Sequence, residues 1–156
     1  MSVIVVELIT LDGIVSDPDG SQGTPLGGWM FWYGGKAVGT EDRFRLGPAL
    51  DEGVLLLGRV TWQLFARIWP GRQDPYAARM NAGAKLVASR TLAHADISAW
   101  ANSKVLDGDL VDAVGRERRD VLVLGMVDRL RTADLELLDV AHVGPAVLTR
   151  YRRAAR

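Results

Sequence analysis

The chain has 156 residues, of which 48% are hydrophobic and 24% are charged, and its 19 basic residues balance 19 acidic ones. This length and composition fit one globular domain with a substantial core, and the neutral balance argues against non-specific binding of nucleic acid. The absence of cysteine excludes disulfides, thiolate metal sites and cysteine nucleophiles, and it agrees with a cytoplasmic protein.

The first half of the chain predicts a strand, a long loop and a strand followed by a helix. Residues 3–9 are apolar except for Glu7 and predict a first strand rather than a signal peptide, and no apolar run is long enough to span a membrane. Residues 16–35 are rich in Gly, Pro, Ser and Asp, which predicts a long loop whose aromatic end forms an ordered lid. The apolar run 54–57 predicts a strand that is buried on both faces, followed by a helix from about Val60.

The second half of the chain continues this alternation. The other predicted elements are a helix capped by Thr40, a short helix over 75–82, strands over 85–89, 104–106 and 121–124, a helix capped by Asp107 or Asp109, and antiparallel strands over 135–141 and 146–151. Strands that alternate with helices predict a mostly parallel sheet with helices on both faces. We expect the final pair to add an antiparallel edge, which would make the sheet mixed.

Two of the predicted strands end in a small or polar residue that is followed by an arginine. Gly58 and Arg59 follow the strand over 54–57, and Ser89 and Arg90 follow the next strand along the chain. Ligands of open α/β sheets bind at the carboxyl ends of the strands, and a helix N-terminus attracts phosphate. Two guanidinium groups could therefore hold one anion, such as a 2′-phosphate. The alternative is that both arginines are ordinary surface residues.

Two acids and a set of aromatic side chains are candidates for the rest of a site. Glu7 is the only charge in its predicted strand, so it is either a general acid or substrate anchor, or the partner of an arginine at a strand edge. Asp12 precedes a glycine and could simply cap a turn. The aromatic side chains could stack on a planar heterocycle, although such residues are more often found in cores or interfaces. This set comprises Trp29, Phe31, Trp32, Trp62, Phe65 and Trp69. His94 and His142 are isolated, so no metal site is predicted.

Four segments resemble, in the same order, proteins of the dihydrofolate-reductase-like family. They read LITLDGIVSD over 8–17, LLLGRVTWQLFARIWP over 55–70, ARMNAGAKLVASRTL over 78–92 and DVLVLG over 120–125. The segment LELLDVAHVGPAVLTRYR near the C-terminus resembles the closing hairpin of the family. The similarity is greatest to the reductase domain of the bifunctional riboflavin-biosynthesis deaminase–reductase and to its small stand-alone bacterial relatives.

The resemblance implies a three-layer α/β fold and a site for NADPH. Asp12 and Gly13 match the Asp-Gly pair that lies beside the nicotinamide and the substrate, and Trp29 falls in the segment that borders the substrate pocket. Phe31, Trp32 and Trp62 are further candidates for substrate binding. The positions that match cofactor-binding residues of the family are Gly58, Arg59, Thr61, Ser89, Arg90 and Gly125.

The sequence departs from the family pattern after Gly125. The family has a second glycine there and a short glycine-rich turn into a helix, where the pyrophosphate rests, whereas residues 125–131 of this chain resemble a later part of the pattern. A helix and a strand are therefore missing. The same shortening should expose apolar surface and a free sheet edge, so we expect a homodimer in which the strands over 121–124, 135–141 and 146–151 pack against a second copy. The second copy could also complete the site.

Three functions remain open from the sequence. The first is an NADPH-dependent reductase of a small planar heterocyclic or imine-like substrate, with Asp12 or Glu7 as the acid. The second is a non-redox enzyme on the same scaffold. The third is a ligand-binding or self-resistance protein that sequesters its ligand under the aromatic loop.

Overall fold

The computed structural model describes residues 1–33, 46–92, 96–125, 135–143 and 146–153. The helix that was predicted to follow Thr40 and the isolated His94 lie outside these residues. The described residues form two compact units. The first contains residues 1–6, 46–92 and 96–125, and the second contains residues 7–33 together with the last two strands.

A five-stranded parallel sheet forms the centre of the first unit. Its strands are β1 (Val3–Val6), β2 (Val54–Gly58), β3 (Ala84–Ala88), β4 (Ser103–Val105) and β5 (Val121–Leu124), and they lie in the order β1-β5-β2-β3-β4. Val54 pairs with both Ala84 and Val121, so the three central strands begin in line. The apolar runs of β2 and β5 are buried, as their sequences predicted, because both strands have neighbours on each side and packing on each face.

Five α-helices and one 3₁₀ helix lie in the described part of the chain. They are α1 (Trp29–Tyr33), α2 (Pro48–Glu52), α3 (Arg59–Ile68), α4 (Pro75–Ala82), the 3₁₀ helix (Asp96–Ala99) and α5 (Leu110–Arg116). Asp74 caps α4 by accepting a hydrogen bond from the Ala77 amide, and Pro75 occupies the first helical position. Asp109, one of the two predicted candidates, caps α5 by accepting from the amides of residues 111 and 112. None of these helices has the length and apolar character needed to cross a membrane.

Helices cover both faces of the sheet. Successive residues of a strand point to opposite faces. On one face, Leu56 and its apolar neighbours pack against Val114 of α5. On the other face, Lys85 lies against the indole of Trp100, which in turn contacts Phe65 of α3 edge-to-face at 6.3 Å between ring centroids. The predicted α/β fold with helices on both faces is confirmed.

The second unit contains a C-terminal hairpin and an N-terminal loop. The strands β6 (Leu135–Val143) and β7 (Ala146–Arg153) pair antiparallel, with Val143 opposite Ala146 and a shift in register after Leu137. The predicted hairpin is therefore present. In the described residues, however, it is a two-stranded sheet of its own, and the five-stranded sheet is wholly parallel rather than mixed.

Two expectations from the sequence are corrected by the strand boundaries. The first strand ends at Val6, so Glu7 does not lie within it. The physical reason is that the parallel pairing of β1 with β5 ends with Val6 and Leu124. In addition, β5 lies between β1 and β2, so residues 121–124 are covered by their own chain and do not require a second copy.

Candidate functional site

Three turns lie side by side at the carboxyl edge of the parallel sheet. Gly58 ends β2 and pairs with Ala88, which is directly followed by Ser89 after β3. On the other side of β2, Leu57 pairs with Leu124, which is directly followed by Gly125. The register therefore brings the three predicted motifs together, at the edge where ligands bind to open α/β sheets.

Arg59 and Arg90 are both exposed at this edge. They follow the neighbouring strands β2 and β3. Within the described residues, neither guanidinium takes part in a salt bridge or donates a side-chain hydrogen bond, whereas Arg72, Arg79 and Arg119 each bind a carboxylate. Five N–H donors on each of two neighbouring arginines are thus open to an anionic ligand.

The first turn of α3 begins at the same edge. Its N-cap is Gly58, in an extended conformation with φ −72° and ψ 159°, and no side chain caps the helix. The first amides of a helix have no partner within the helix, and the helix dipole makes this end attractive to negative charge. A phosphate group bound at this edge could accept hydrogen bonds from these amides.

Ser89 shapes the turn after β3. Its hydroxyl oxygen accepts hydrogen bonds from the amides of Thr91 at 3.2 Å and of Leu92 at 2.9 Å, which bends the chain directly after the strand. Arg90 lies within this bend. Because the hydroxyl oxygen already accepts two bonds, Ser89 can meet a phosphate only through its O–H proton.

Thr61 and Gly125 connect the turns after β2 and β5. The Thr61 hydroxyl donates to the carbonyl oxygen of Gly125 at 3.2 Å. Gly125 is exposed and has φ +64°, a left-handed conformation that favours glycine. Residues 126–134, where the sequence departs from the family pattern, lie outside the described residues.

Trp62, a candidate for substrate binding, is almost entirely buried. It is 2% exposed, and its indole N–H donates to the hydroxyl of Ser103 at 3.0 Å. The reason is helical spacing, since Trp62 is three residues from Phe65 and seven from Trp69 and so lies on the core face of α3. Phe65, which was expected in the core, packs edge-to-face on Trp69 at 5.8 Å between centroids.

The two candidate acids lie in the second unit. Asp12 is exposed in a tight turn, in which the amide of Gly13 donates to the carbonyl of Thr10 at 2.9 Å and Gly13 has φ +90°. Glu7 is half-buried, and its carboxylate accepts from the amide of Leu8 at 3.1 Å. Both catalytic roles remain predictions.

The aromatic end of the loop forms the short helix α1. Trp29 is half-buried and donates its indole N–H to the carbonyl of Ser16 at 3.0 Å. Phe31 and Trp32 are exposed, with 64% and 66% of their surface accessible. Two aromatic side chains of the described part of the loop are therefore accessible to a ligand or another surface, and its role as an ordered lid stays a prediction.

Sequence reasoning missed Asp17, which organises this loop. The carboxylate is buried and accepts from the amides of Gln22 and Thr24, both at 2.9 Å, and from the hydroxyl of Thr24 at 2.8 Å. These hydrogen bonds, led by that of Gln22, hold the pKa of Asp17 below its usual value despite burial. The signal was the turn sequence that follows it, since Asp side chains commonly accept from nearby amides.

Lys85 is the second residue that sequence reasoning missed. Its side chain is 1% exposed, and its ammonium donates to the carbonyls of Asn81 at 3.0 Å, Gly83 at 2.6 Å and Ala101 at 3.0 Å. The indole ring of Trp100 lies 4.5 Å from the same nitrogen. Burial lowers the pKa of Lys85 to about 8. A lysine inside a strand with apolar neighbours on both sides was the available signal.

Comparison with known proteins identifies the architecture. No protein-family model matches the sequence, and no curated protein matches it. Among solved structures, the chain is similar to a protein from Shewanella sp. PV-4 that is provisionally named for riboflavin biosynthesis, with 16% identity, a TM-score of 0.67 and all of both chains covered. At this identity the likeness concerns the fold alone, and it agrees with the parallel sheet and its flanking helices. The chain thus has an α/β fold of the dihydrofolate-reductase type.

Proposed function

We propose that the protein binds NADPH at the carboxyl edge of the sheet and uses it to reduce a small planar heterocyclic or imine-like substrate. The observation that carries the proposal is the pair Arg59 and Arg90, which follow neighbouring strands, are exposed and have no ion-pair partner among the described residues. Two such cations beside an uncapped helix N-terminus suit the phosphate groups of this cofactor.

The surrounding residues fit the phosphate-bearing part of NADPH. Gly58 and Gly125 have no side chain at two of the three turns, and the bend at Ser89 keeps Arg90 at the same edge of the sheet. When bound, NADPH supplies a hydride. The protein would supply orientation through the arginines and a proton from Asp12 or Glu7, directly or through water.

The substrate class is supported by the structural neighbour. That protein is provisionally named for riboflavin biosynthesis. The four sequence segments that resemble the riboflavin-biosynthesis reductase domain agree with this. A planar, nitrogen-containing ring is therefore the substrate type we favour, and the exposed rings of Phe31 and Trp32 are suited to stack on it.

A titration of the intrinsic fluorescence of the five tryptophans with NADPH and with NADH tests the proposal. We expect Arg90→Ala to weaken NADPH binding by about tenfold and NADH binding much less, because only NADPH carries the 2′-phosphate. Arg116→Ala is the matched control, since Arg116 lies at the end of α5, shortly before β5 begins, and thus at the opposite edge of the sheet. Equal losses for both cofactors would argue against the assignment of Arg90.

The alternative is a non-redox enzyme, or a ligand-binding or self-resistance protein, on the same scaffold. The observation in its favour is the sequence after Gly125, which lacks the second glycine and the glycine-rich turn. If the wild-type protein binds neither cofactor at millimolar concentration, while inorganic phosphate raises its melting temperature, the anion site would serve another ligand and this alternative would replace the reductase.

We propose further that the protein is a homodimer that packs through its C-terminal hairpin. Leu137, Leu138 and Val140 of β6 are each at least 50% exposed, which is a costly arrangement for adjacent apolar side chains in a monomer. Light scattering at micromolar concentration should give twice the mass of the chain. If Val140→Glu is still a dimer, the interface does not include this part of the hairpin. If the wild-type protein is a monodisperse monomer, the proposed dimer is wrong.

A further inference from the structure

The hydroxyl of Thr61 has a partner within the protein. Thr61 is the third residue of α3, and its hydroxyl donates to the carbonyl of Gly125, 64 positions later in the chain, at 3.2 Å. A threonine hydroxyl has one proton to donate. A phosphate oxygen accepts hydrogen bonds, so Thr61 could donate to a phosphate only by giving up Gly125.

Gly125 fits this contact because it has no side chain. A Cβ atom at position 125 would lie 2.8 Å from the Thr61 hydroxyl oxygen and 3.1 Å from its methyl carbon. The backbone of Gly125 is also left-handed, with φ +64°. The threonine and the glycine are therefore closely packed, and the two turns meet through them.

We infer that Thr61 is a positioning residue, which fixes the turn after β5 against the first turn of α3 and so sets the geometry of the phosphate-binding edge. The inference rests on the proposed function, because it assumes that a phosphate-bearing ligand binds at this edge. It assigns Thr61 a role different from the direct phosphate contact that the resemblance implies. The arginines attract the ligand, and Thr61 holds two of the three turns at a fixed distance.

Two substitutions separate the hydrogen bond from the packing. Thr61→Val keeps the shape of the side chain and removes the donor, whereas Thr61→Ser keeps the donor and removes the methyl group. We expect Thr61→Val to raise the dissociation constant of NADPH about 5-fold, the usual effect of one lost hydrogen bond, and Thr61→Ser to stay near the wild-type value. The Gly125 amide should exchange its hydrogen faster in Thr61→Val only.

A pair of substitutions at the contact provides a second test. Gly125→Ala should weaken NADPH binding more than Thr61→Val does, because it adds a methyl group against Thr61 to a strained backbone. Thr61→Ala removes the atoms that this methyl group would meet. The double variant should therefore bind NADPH more tightly than Gly125→Ala alone, and additive losses would contradict the contact.

Failure of this inference can be distinguished from failure of the proposed function. If Arg90→Ala weakens NADPH binding and Thr61→Val binds NADPH as tightly as the wild type does, the inference about Thr61 is wrong. The proposal that NADPH binds at this edge then still stands. Equal weakening by Thr61→Val and Thr61→Ser would also overturn it, since packing rather than the hydrogen bond would be responsible. If the wild-type protein binds neither NADPH nor inorganic phosphate, both fail.

Discussion

The strand β3 carries a cation near each end, and the two cations have opposite surroundings. Lys85 is the second residue of the strand, is buried, and has one carbonyl oxygen for each of its three ammonium protons. Arg90 lies two residues beyond the strand, is exposed, and has no ion-pair partner among the described residues. The same contrast separates Lys85 from Arg59.

The difference shows how a structural cation can be told from one that is available to a ligand. Burying a charge is costly unless nearby groups satisfy it, so the position of Lys85 requires its three carbonyls. An exposed guanidinium requires no partner, and its donors remain available to an anion that arrives from solution. We expect the first cation to serve stability and the second to serve binding.

The largest effect should follow from Lys85→Met, which retains much of the side-chain volume and removes the charge and its donors. Three carbonyls at buried or partly buried positions then lose the ammonium as a donor, and we expect a loss of about 2–5 kcal/mol in the free energy of unfolding, measured with urea. Lys104→Met is the matched control, since Lys104 is on the adjacent strand β4 and its side chain is 71% exposed. If Lys85→Met and Lys104→Met lower the free energy of unfolding equally, the buried position of Lys85 has no special role in stability.

The stability contributed by Lys85 should depend on pH in a direction that is unusual for a charged group. Burial lowers its pKa from 10.5 to about 8 in the folded protein. Between these values the unfolded chain binds more protons than the folded one, so the free energy of unfolding should rise with pH, by up to about 3 kcal/mol. The difference in stability between the wild type and Lys85→Met should therefore grow from pH 7 to pH 10.5. A difference that shrinks over this interval would contradict the assigned direction.

A smaller effect is expected from a series of arginine-to-alanine variants. Arg79 binds both carboxylate oxygens of Asp51, at 2.7 and 2.9 Å, and the carbonyl of Gly47 at 2.7 Å. Arg79→Ala should cost about 1–2 kcal/mol of stability. Arg59→Ala and Arg90→Ala should each stay within about 0.5 kcal/mol of the wild type, because no such partners are lost. A larger loss in the free energy of unfolding for Arg90→Ala would show that Arg90, like Lys85, serves stability.

The smallest effect concerns the pair formed by Glu117 and Arg119. Hydrogen bonds from Arg119 lower the pKa of Glu117 to about 2, so the pair stabilises the fold above about pH 4.5 and this contribution is lost as the pH falls towards 2. Because Arg119 is half-exposed, we expect less than about 1 kcal/mol. Glu117→Gln should therefore be slightly less stable than the wild type at pH 6 and equal to it near pH 2. A difference that persists at pH 2 would show that the charge is not responsible.

The central strands and their carboxyl-end turns could be predicted from the sequence because each signal is local. Residues 54–57 and 121–124 are uninterrupted apolar runs, and both are strands buried on each face. Once these strands are parallel and in register, Gly58, Ser89 and Gly125 must meet at one edge. The neighbourhood of the motifs was therefore a consequence of the strand prediction.

The features that could not be predicted depend on distant partners. The three carbonyls around Lys85 come from the end of α4, the residue after it and the segment before β4, and nothing in the strand sequence specifies them. The end of β1 at Val6 is likewise set by the length of β5 and not by its own apolar pattern. The burial of Trp62, in contrast, could have been predicted, because its helical spacing from Phe65 indicates a position on the core face of α3.

The length of β3 has a consequence for how the chain can vary. Lys85 and Arg90 are separated by four residues, and successive residues of a strand alternate between the two faces of the sheet. One residue inserted between them would shift Arg90 by about 3.3 Å and turn the intervening side chains to the wrong face. Two inserted residues would restore the faces but move the guanidinium by about 7 Å. Chains that share both cations should therefore tolerate insertions before Lys85 or after Arg90, and not between them.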